Sequence, residues 1–342
     1  MRDLSRLPKA HLHLHFTGSL RVATLTELAL ERGARLPSSL TGSEALSVPA
    51  DKRGWFRFQR QYDIARSVVK GEGAVRRLIR EAAIDDAAEG SRRLELQVEP
   101  SSYARELGGL TPTLEIILDE AALASRDTGV DVGIIVAASR IRHPLDARTL
   151  ARLAARYAGD GPGQVVGFGL SNDERTGITS EWAAAFAIAL RAGLPAMPHG
   201  GELLGPEHLR EVVAHLHPSR IGHGVRSADD PELLAHMVAD GIAFEVCPVS
   251  NVSLGVYADE ADVPLRQMFD AGAQIALGAD DPLLFRSRLV DQYEIARGHG
   301  FSDAELAELA RASVRASTAS DSSKRAITRE IDAWLAEPDP LS

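Results

Sequence analysis

Short apolar or alternating segments are separated by longer segments with helical spacing along most of the chain. Strand patterns, in which apolar residues are consecutive or alternate with polar ones, lie at residues 11–15, 93–98, 131–137, 164–170, 194–199, 220–223, 242–247 and 274–279. Amphipathic helical patterns lie at residues 113–128, 146–157, 180–192, 206–216, 231–240 and 263–271. Because nearly every predicted strand is followed by a predicted helix, the pattern predicts parallel βαβ units.

The number and order of these units favour one α/β architecture. Eight predicted strands spread over residues 11–279 are typical of a (β/α)₈ TIM barrel, and 342 residues is an ordinary length for one such domain, residues 1–342. An open doubly wound sheet would be favoured by a phosphate-binding glycine turn directly after a strand. The glycine-rich segment 159–163 instead precedes its strand, so it predicts a loop.

Two regions depart from the strand–helix alternation. Residues 16–91 contain no second strand pattern and begin with a helical pattern at 24–32. They also contain the aromatic side chains Trp55, Phe56, Phe58 and Tyr62. This region is predicted to pack on the core as amphipathic helix, to cap the mouth of a site, or to do both. Residues 303–336 carry two further helical patterns, predicted as additional C-terminal helices.

The C-terminal ends of the predicted strands carry many groups that bind metals or move protons. Functional residues of a (β/α)₈ barrel lie at those ends. The groups are His13 and His15 on strand 1, His199 and Glu202 after strand 5, His223 on strand 6, and Asp280 and Asp281 after strand 8. A single histidine or aspartate at a strand end is more often structural, but four such ends together indicate a functional site.

Three imidazoles and one carboxylate from this set suit zinc or another divalent first-row metal. We predict that His13, His15, His199 and Asp280 are the metal ligands and that they bind one ion per chain. His11 lies on the same strand face but deeper in the barrel, so it is left out. Alternate residues of a strand face the same side, and Asp280 is in register with the small residues of strand 8, which suit the narrow barrel interior. Its side chain is therefore predicted to point inward at the metal.

The remaining groups suggest what such a metal would do. A bound metal lowers the pKa of water from about 15.7 to roughly 7 and so makes hydroxide available near neutral pH. Glu202 is then placed to move a proton between water and substrate, and His223 to orient the hydroxide or stabilise its charge. These residues predict metal-assisted hydrolysis, but they do not by themselves select the bond that breaks.

The chain resembles the adenosine deaminase family of amidohydrolase-like barrels over essentially its whole length. The resemblance rests on segments 8–15 (PKAHLHLH), 18–19 (GS), 199–202 (HGGE), 220–224 (RIGHG), 247–251 (CPVSN) and 280–282 (DDP). It implies zinc on the same four ligands, a proton transferred by Glu202 to purine N1, and attack on C6 by a hydroxide that His223 and Asp280 handle. It also implies that Asp281 contacts N7 and that the segment 167–174, with Asn172 where the family usually has glycine, offers its backbone to N3.

One departure from the family pattern bears on the substrate. Adenosine deaminases of the family usually carry an acidic residue at the position of Thr17, where it binds a sugar hydroxyl. Phe16-Thr17-Gly18-Ser19 followed by Arg21 is similar to the aminodeoxyfutalosine deaminases, whose substrate bears a benzoate on the 5′ side of an adenine nucleoside. The resemblance therefore implies Thr17 and Arg21 as substrate-binding residues and a role in menaquinone biosynthesis by the futalosine route.

Charge, cysteine count and hydropathy exclude several classes of function and leave a few alternatives. A net charge of −10 argues against non-specific binding to nucleic acid or acidic membranes, and the single cysteine, Cys247, excludes a Cys-rich zinc site or a disulfide framework. No apolar segment predicts a signal peptide or a membrane span, so a cytoplasmic location is expected. Adenosine or 2′-deoxyadenosine is the alternative substrate. A non-purine amide or ester hydrolase and a degenerate, non-catalytic binding protein are weaker alternatives.

Overall fold

Eight parallel strands form one sheet in which each strand pairs with the next along the chain. The computed structural model describes residues 1–338. The strands are β1 (Lys9–His15), β2 (Ser91–Val98), β3 (Asp131–Ser139), β4 (Val165–Ser171), β5 (Ala196–Gly200), β6 (Arg220–His223), β7 (Ala243–Val246) and β8 (Ile275–Leu277). Because all the pairs are parallel, the eight carboxyl ends lie at one rim of the sheet.

Helices separate the strands and follow the last one. They are α1 (Val22–Glu31), α2 (Ser38–Thr41), α3 (Lys52–Val68), α4 (Glu72–Ala88), α5 (Leu110–Thr128), α6 (Pro144–Ala155), α7 (Ala183–Arg191), α8 (Pro206–Leu216), α9 (Pro231–Ala239), α10 (Pro248–Ser253), α11 (Leu265–Asp270), α12 (Pro282–Phe285), α13 (Leu289–Gly298), α14 (Asp303–Ala316) and α15 (Asp321–Ala336). The predicted (β/α)₈ barrel is confirmed. Among the described residues, no helix is both long enough and apolar enough to cross a bilayer.

The barrel closes between β8 and β1 through residues at the rim formed by the carboxyl ends of the strands. The N–H of His15 donates to the carbonyl of Asp280 at 2.9 Å, and the N–H of Asp280 donates to the carbonyl of His13 at 3.1 Å. Strand β8 itself ends at Leu277, earlier than the predicted 279, and Asp280 has a left-handed backbone with φ 59°. This conformation cannot continue a strand, so Asp280 is held beside β1 by these two hydrogen bonds.

Helix α3 and helix α4 have different surroundings within the region 16–91. Helix α4 packs against β2 and α5, as a member of the outer helical ring. Helix α3 turns aromatic side chains toward the rim, where the ring of Phe58 stacks on that of Phe285 at 5.8 Å. Trp55 and Tyr62 of the same helix line the cavity at the rim, whereas Phe56 is exposed. The aromatic side chains of α3 thus pack at the rim and line the cavity there. The assignment of residues 16–91 as a separate cap stays a prediction.

A buried chain of charges lies inside the barrel beneath the rim. The guanidinium of Arg220 donates to Glu95 and to Glu245, each at 2.6 Å. Glu245 in turn accepts from Nδ1 of His13 at 2.8 Å. All four side chains are buried. Buried charges are tolerated when they are paired and hydrogen-bonded, and this pairing fixes the orientation of a histidine at the rim.

Candidate active site

Four side chains meet at the carboxyl ends of β1 and β5 and the loop after β8. Nε2 of His15 lies 3.2 Å from Nε2 of His199 and 3.2 Å from Oδ1 of Asp280. Nε2 of His13 lies 3.6 Å from the same carboxylate oxygen. The four residues predicted as ligands are therefore brought together through these contacts. His13, His15 and Asp280 form one group that could hold a metal ion, and His13 and His199 form another with His223.

The hydrogen bonds of these histidines prepare them to bind a metal. Nδ1–H of His13 donates to Glu245, and Nδ1–H of His199 donates to the carbonyl of Leu170 at 3.0 Å. Each ring therefore keeps the lone pair of Nε2 free on the side of the cluster. Nε2 of His13 is buried without a hydrogen-bond partner. A buried unsatisfied acceptor among two other imidazoles and a carboxylate is what a divalent metal site requires.

His11, which the sequence argument left out of the ligand set, is engaged elsewhere. Its Nδ1–H donates to Asp86 at 3.0 Å, and its Nε2 accepts the N–H of Ala279 at 3.1 Å. Both ring nitrogens have partners outside the cluster. This histidine therefore ties β1 to helix α4 and to the loop after β8.

Ser250 and Glu245 are site residues to which the sequence argument gave no role. Ser250 donates its hydroxyl to Oδ2 of Asp280 at 2.5 Å, which leaves Oδ1 facing the histidines. The signals were present, because Ser250 lies within the 247–251 segment and Glu245 interrupts an apolar strand pattern. Their partners lie far away in the sequence, so the pattern did not identify what they contact.

Glu202 and His223 flank the cluster. Oε1 of Glu202 lies 3.7 Å from Nε2 of His223, and both side chains are buried. Burial and then the nearby Asp280 carboxylate raise the pKa of Glu202 well above its ordinary value. Burial and then the neighbouring His13 lower the pKa of His223 to about 3. The protonated, neutral form of Glu202 and the neutral imidazole form of His223 are therefore favoured.

The loop that carries Glu202 is anchored by a buried carboxylate that the sequence argument did not assign. Glu174 accepts the backbone N–H groups of Glu202, Leu203 and Leu204 at 3.1, 3.0 and 2.9 Å. Its position at the end of the 167–174 segment was the available signal. The loops after β4 and β5 are thereby held together.

Asp281 and Asn172 line the same cavity. Oδ1 of Asp281 is buried without a hydrogen-bond partner, and burial followed by the Asp280 charge raises the pKa of Asp281 well above its ordinary value. Asn172 has φ 79°, a left-handed conformation that glycine adopts freely and asparagine tolerates. The departure from glycine at this position therefore leaves the backbone conformation accessible.

Gly18 is required by the close approach of Asp281. A Cβ at residue 18 would lie 2.7 Å from Cα of Asp281 and closer still to its carboxylate. We therefore expect Gly18→Ala to displace Asp281 and to lower kcat/KM for deamination by about tenfold or more. Steady-state kinetics measure this, with metal content as the control. Unchanged kcat/KM with a folded, metal-loaded variant would contradict a substrate-binding role for Asp281.

The structure separates the two residues expected to bind the far end of the substrate. Thr17 lines the cavity, and its hydroxyl is 2.5 Å from that of Tyr103. Arg21 does not reach the cavity wall and is instead paired with Asp85, at 2.7 Å through Nη2. Helix α1 begins at Val22 and directs the arginine toward α4, so this geometry lends no support to the Arg21 contact with the substrate, which stays a prediction.

The cavity above the cluster has about 680 Å³ of empty space, part of it open to solvent. Its wall includes a different arginine, Arg66 of helix α3. Further lining residues are His15, Phe16, Trp55, Phe58, Gln59, Tyr62, Gln97, Glu99, Ser102, Tyr103, Ser171 and Leu254. The space that a ligand would occupy is thus bordered by both aromatic and polar groups.

Comparison with known proteins agrees with this geometry. The adenosine deaminase family model matches residues 8–334. A putative adenosine/adenine deaminase of Streptomyces virginiae is 59% identical, covering 98% of each chain, and an adenine deaminase of Sinorhizobium fredii is 35% identical, covering 91% of this chain and 94% of its own. The crystal structure of an adenine deaminase from Arthrobacter aurescens superposes with a TM-score of 0.87 at 28% identity, covering 96% and 99% of the two chains. The chain belongs to the adenosine deaminase family and is a hydrolase of adenine-type compounds.

Proposed function

We propose that this protein hydrolyses the 6-amino group of an adenine nucleoside, and that 6-aminodeoxyfutalosine is its substrate. The observation that carries the proposal is that His15, His199 and Asp280, with His13 beside them, lie at a cavity that Glu202 and Asp281 also line. Hydrolysis at the edge of a purine ring needs metal ligands to hold the ion that activates water. It also needs one protonated carboxyl group to act on the ring and a second carboxyl group to bind it. The reaction breaks the C6–N bond, forms a C6–O bond with water, and releases ammonia.

His13, His15, His199 and Asp280 would hold the metal, for which zinc is the proposed ion at one per chain. A divalent ion at this position supplies a nucleophilic water by lowering its pKa. Ser250 and Glu245 keep Asp280 and His13 oriented toward it. Asp280 and His223, whose Oδ2 and Nε2 atoms lie 4.0 Å apart, would then orient the attacking water.

Glu202 would protonate purine N1 while C6 is attacked. Its raised pKa supports the role, because a carboxyl group must carry a proton before it can donate one. As the ring nitrogen takes the proton, C6 becomes more electrophilic. The backbone hydrogen bonds to Glu174 hold the loop, so the carboxyl group is presented without a large entropic cost.

Asp281 would bind purine N7, and the 167–174 segment at Asn172 would bind N3. N7 is an acceptor only, so its partner must donate a hydrogen bond. The raised pKa of Asp281 favours the protonated carboxyl group that can do this. Its unpartnered Oδ1 is the atom that a ligand would satisfy.

The substrate assignment rests on the sugar side of the cavity. Thr17 places a neutral hydroxyl where an acidic residue would repel a carboxylate, which suits a benzoate-bearing nucleoside of menaquinone biosynthesis. Adenosine, 2′-deoxyadenosine or adenine is the second candidate, favoured by the names of the relatives. A cytoplasmic enzyme acting on a small molecule accords with either candidate.

A substrate panel separates the candidates. Purified enzyme is assayed by loss of adenine absorbance with 6-aminodeoxyfutalosine, adenosine, 2′-deoxyadenosine, AMP and adenine. We expect kcat/KM for 6-aminodeoxyfutalosine to exceed that for adenosine by at least about tenfold, the size of one charge-assisted hydrogen bond. Equal or higher kcat/KM for adenosine or adenine would overturn the substrate assignment and leave the deaminase assignment intact.

A further inference from the structure

Arg66 places a positive charge in the wall of the cavity from helix α3. Its neighbours on that wall include Tyr62, Thr17 and Tyr103. We propose that Arg66 and these three hydroxyl groups form a subsite for an anionic group, a carboxylate or a phosphate, attached to the ribose side of the nucleoside. The inference rests on the proposed function and names the residue that selects the substrate class.

The guanidinium of Arg66 has unused hydrogen-bonding capacity. Its carbon lies 4.9 Å from the centre of the Tyr62 ring, a cation–π contact. Its Nε is buried without a hydrogen-bond partner. A buried unsatisfied donor of a charged group is costly, so an acceptor from a ligand would be bound favourably.

The acidic groups near Arg66 leave its charge available. Asp63 lies 3.3 Å from Nη1, but its side chain is 57% exposed, so water screens this pair. Glu99 also lines the cavity, yet its carboxylate accepts from Ser101 and from Arg142, each at 2.7 Å. Glu99 is therefore already hydrogen-bonded to a cation other than Arg66.

Neutral hydroxyl groups complete the subsite. Burial raises the pKa of Tyr62 and of Tyr103, so both phenols keep their protons at neutral pH. Thr17 and Tyr103 share one hydrogen bond, so at least one of the two hydroxyls has a further lone pair or proton free. One cation with O–H donors and no acidic residue at position 17 is the composition of an anion site.

The test is the substitution Arg66→Gln, with Arg60→Gln as the matched control. Arg60 is an exposed arginine on the same helix that is not part of the cavity wall. In Arg66→Gln we expect kcat/KM to fall at least about tenfold for 6-aminodeoxyfutalosine and less than about threefold for adenosine. Arg60→Gln should leave both unchanged. AMP is the substrate that tests a phosphate as the anionic group. A fall in kcat/KM confined to AMP would support the subsite and identify its ligand as a phosphate.

Binding without turnover provides a second readout. The 6-oxo products, with and without the carboxylate, are titrated into each variant by calorimetry, and metal content and melting temperature confirm that the variants fold. Arg66→Lys should recover part of the affinity because it restores the charge. Equal losses for neutral and anionic ligands in Arg66→Gln would overturn the subsite. Absence of activity on every 6-aminopurine in the unmodified enzyme would instead overturn the proposed function.

Discussion

Replacing His13 by alanine should remove nearly all of the bound metal and deaminase activity with it. The side chain is fully buried, and its Nε2 has no partner in the protein. Its loss removes one of the four proposed ligands and leaves the buried carboxylate of Glu245 without the imidazole donor. Protein purified without chelator should contain about one metal ion per chain, and the variant almost none, as measured by elemental analysis alongside turnover.

His11→Gln is the matched control because it changes a histidine two residues earlier on the same strand. His11 is bonded to Asp86 and to the Ala279 N–H, so this variant should melt at a lower temperature yet keep its metal. The two variants separate loss of a ligand from damage to β1. Full metal content in folded His13→Ala would contradict the ligand assignment, and metal-free protein with full activity would end the hydrolytic mechanism proposed here.

The strand–helix alternation was sufficient to predict the barrel, because each βα unit carries its own local periodicity. The reason that the strand pattern gave for the inward direction of the Asp280 side chain was wrong. We predicted an inward side chain from parity along a strand reaching 279, but β8 ends at Leu277. Asp280 faces the histidines because its left-handed backbone is bonded to β1, a long-range contact between residues 267 positions apart in the case of His13. Local periodicity carries no information about such a closure.

The two arginines show the limit of arguing from proximity in sequence. Arg21 is close to Thr17 along the chain, but a helix begins directly after it and its partner is Asp85. Arg66 is far from Thr17 along the chain and shares its cavity. Helix α3 also carries Arg57 and Arg60, and the spacing of its residues does not reveal which arginine faces the site. That depends on how the helix packs on the rim.

Replacing Glu202 by glutamine should lower turnover by roughly 100-fold or more while the metal stays bound. Glutamine keeps the shape of the side chain and can donate a hydrogen bond to N1, but it cannot transfer a proton. The backbone N–H of residue 202 still donates to Glu174, so the loop should keep its place. Steady-state kinetics and elemental analysis on the same preparation measure the two quantities.

Glu207→Gln is the control for this change, because Glu207 is a glutamate in the next helix, α8, with a side chain that is 93% exposed. It should leave kcat and metal content unaltered.

The pH profile gives a second test of Glu202. A protonated acid is lost as the pH rises through its pKa, so the unmodified enzyme should lose activity on the alkaline side of the raised Glu202 pKa. The residual activity of Glu202→Gln should not follow that limb. Near-normal turnover in this variant, or an unchanged alkaline limb, would assign proton transfer to another group, and His223, whose pKa is lowered to about 3, is poorly suited to donate one at neutral pH.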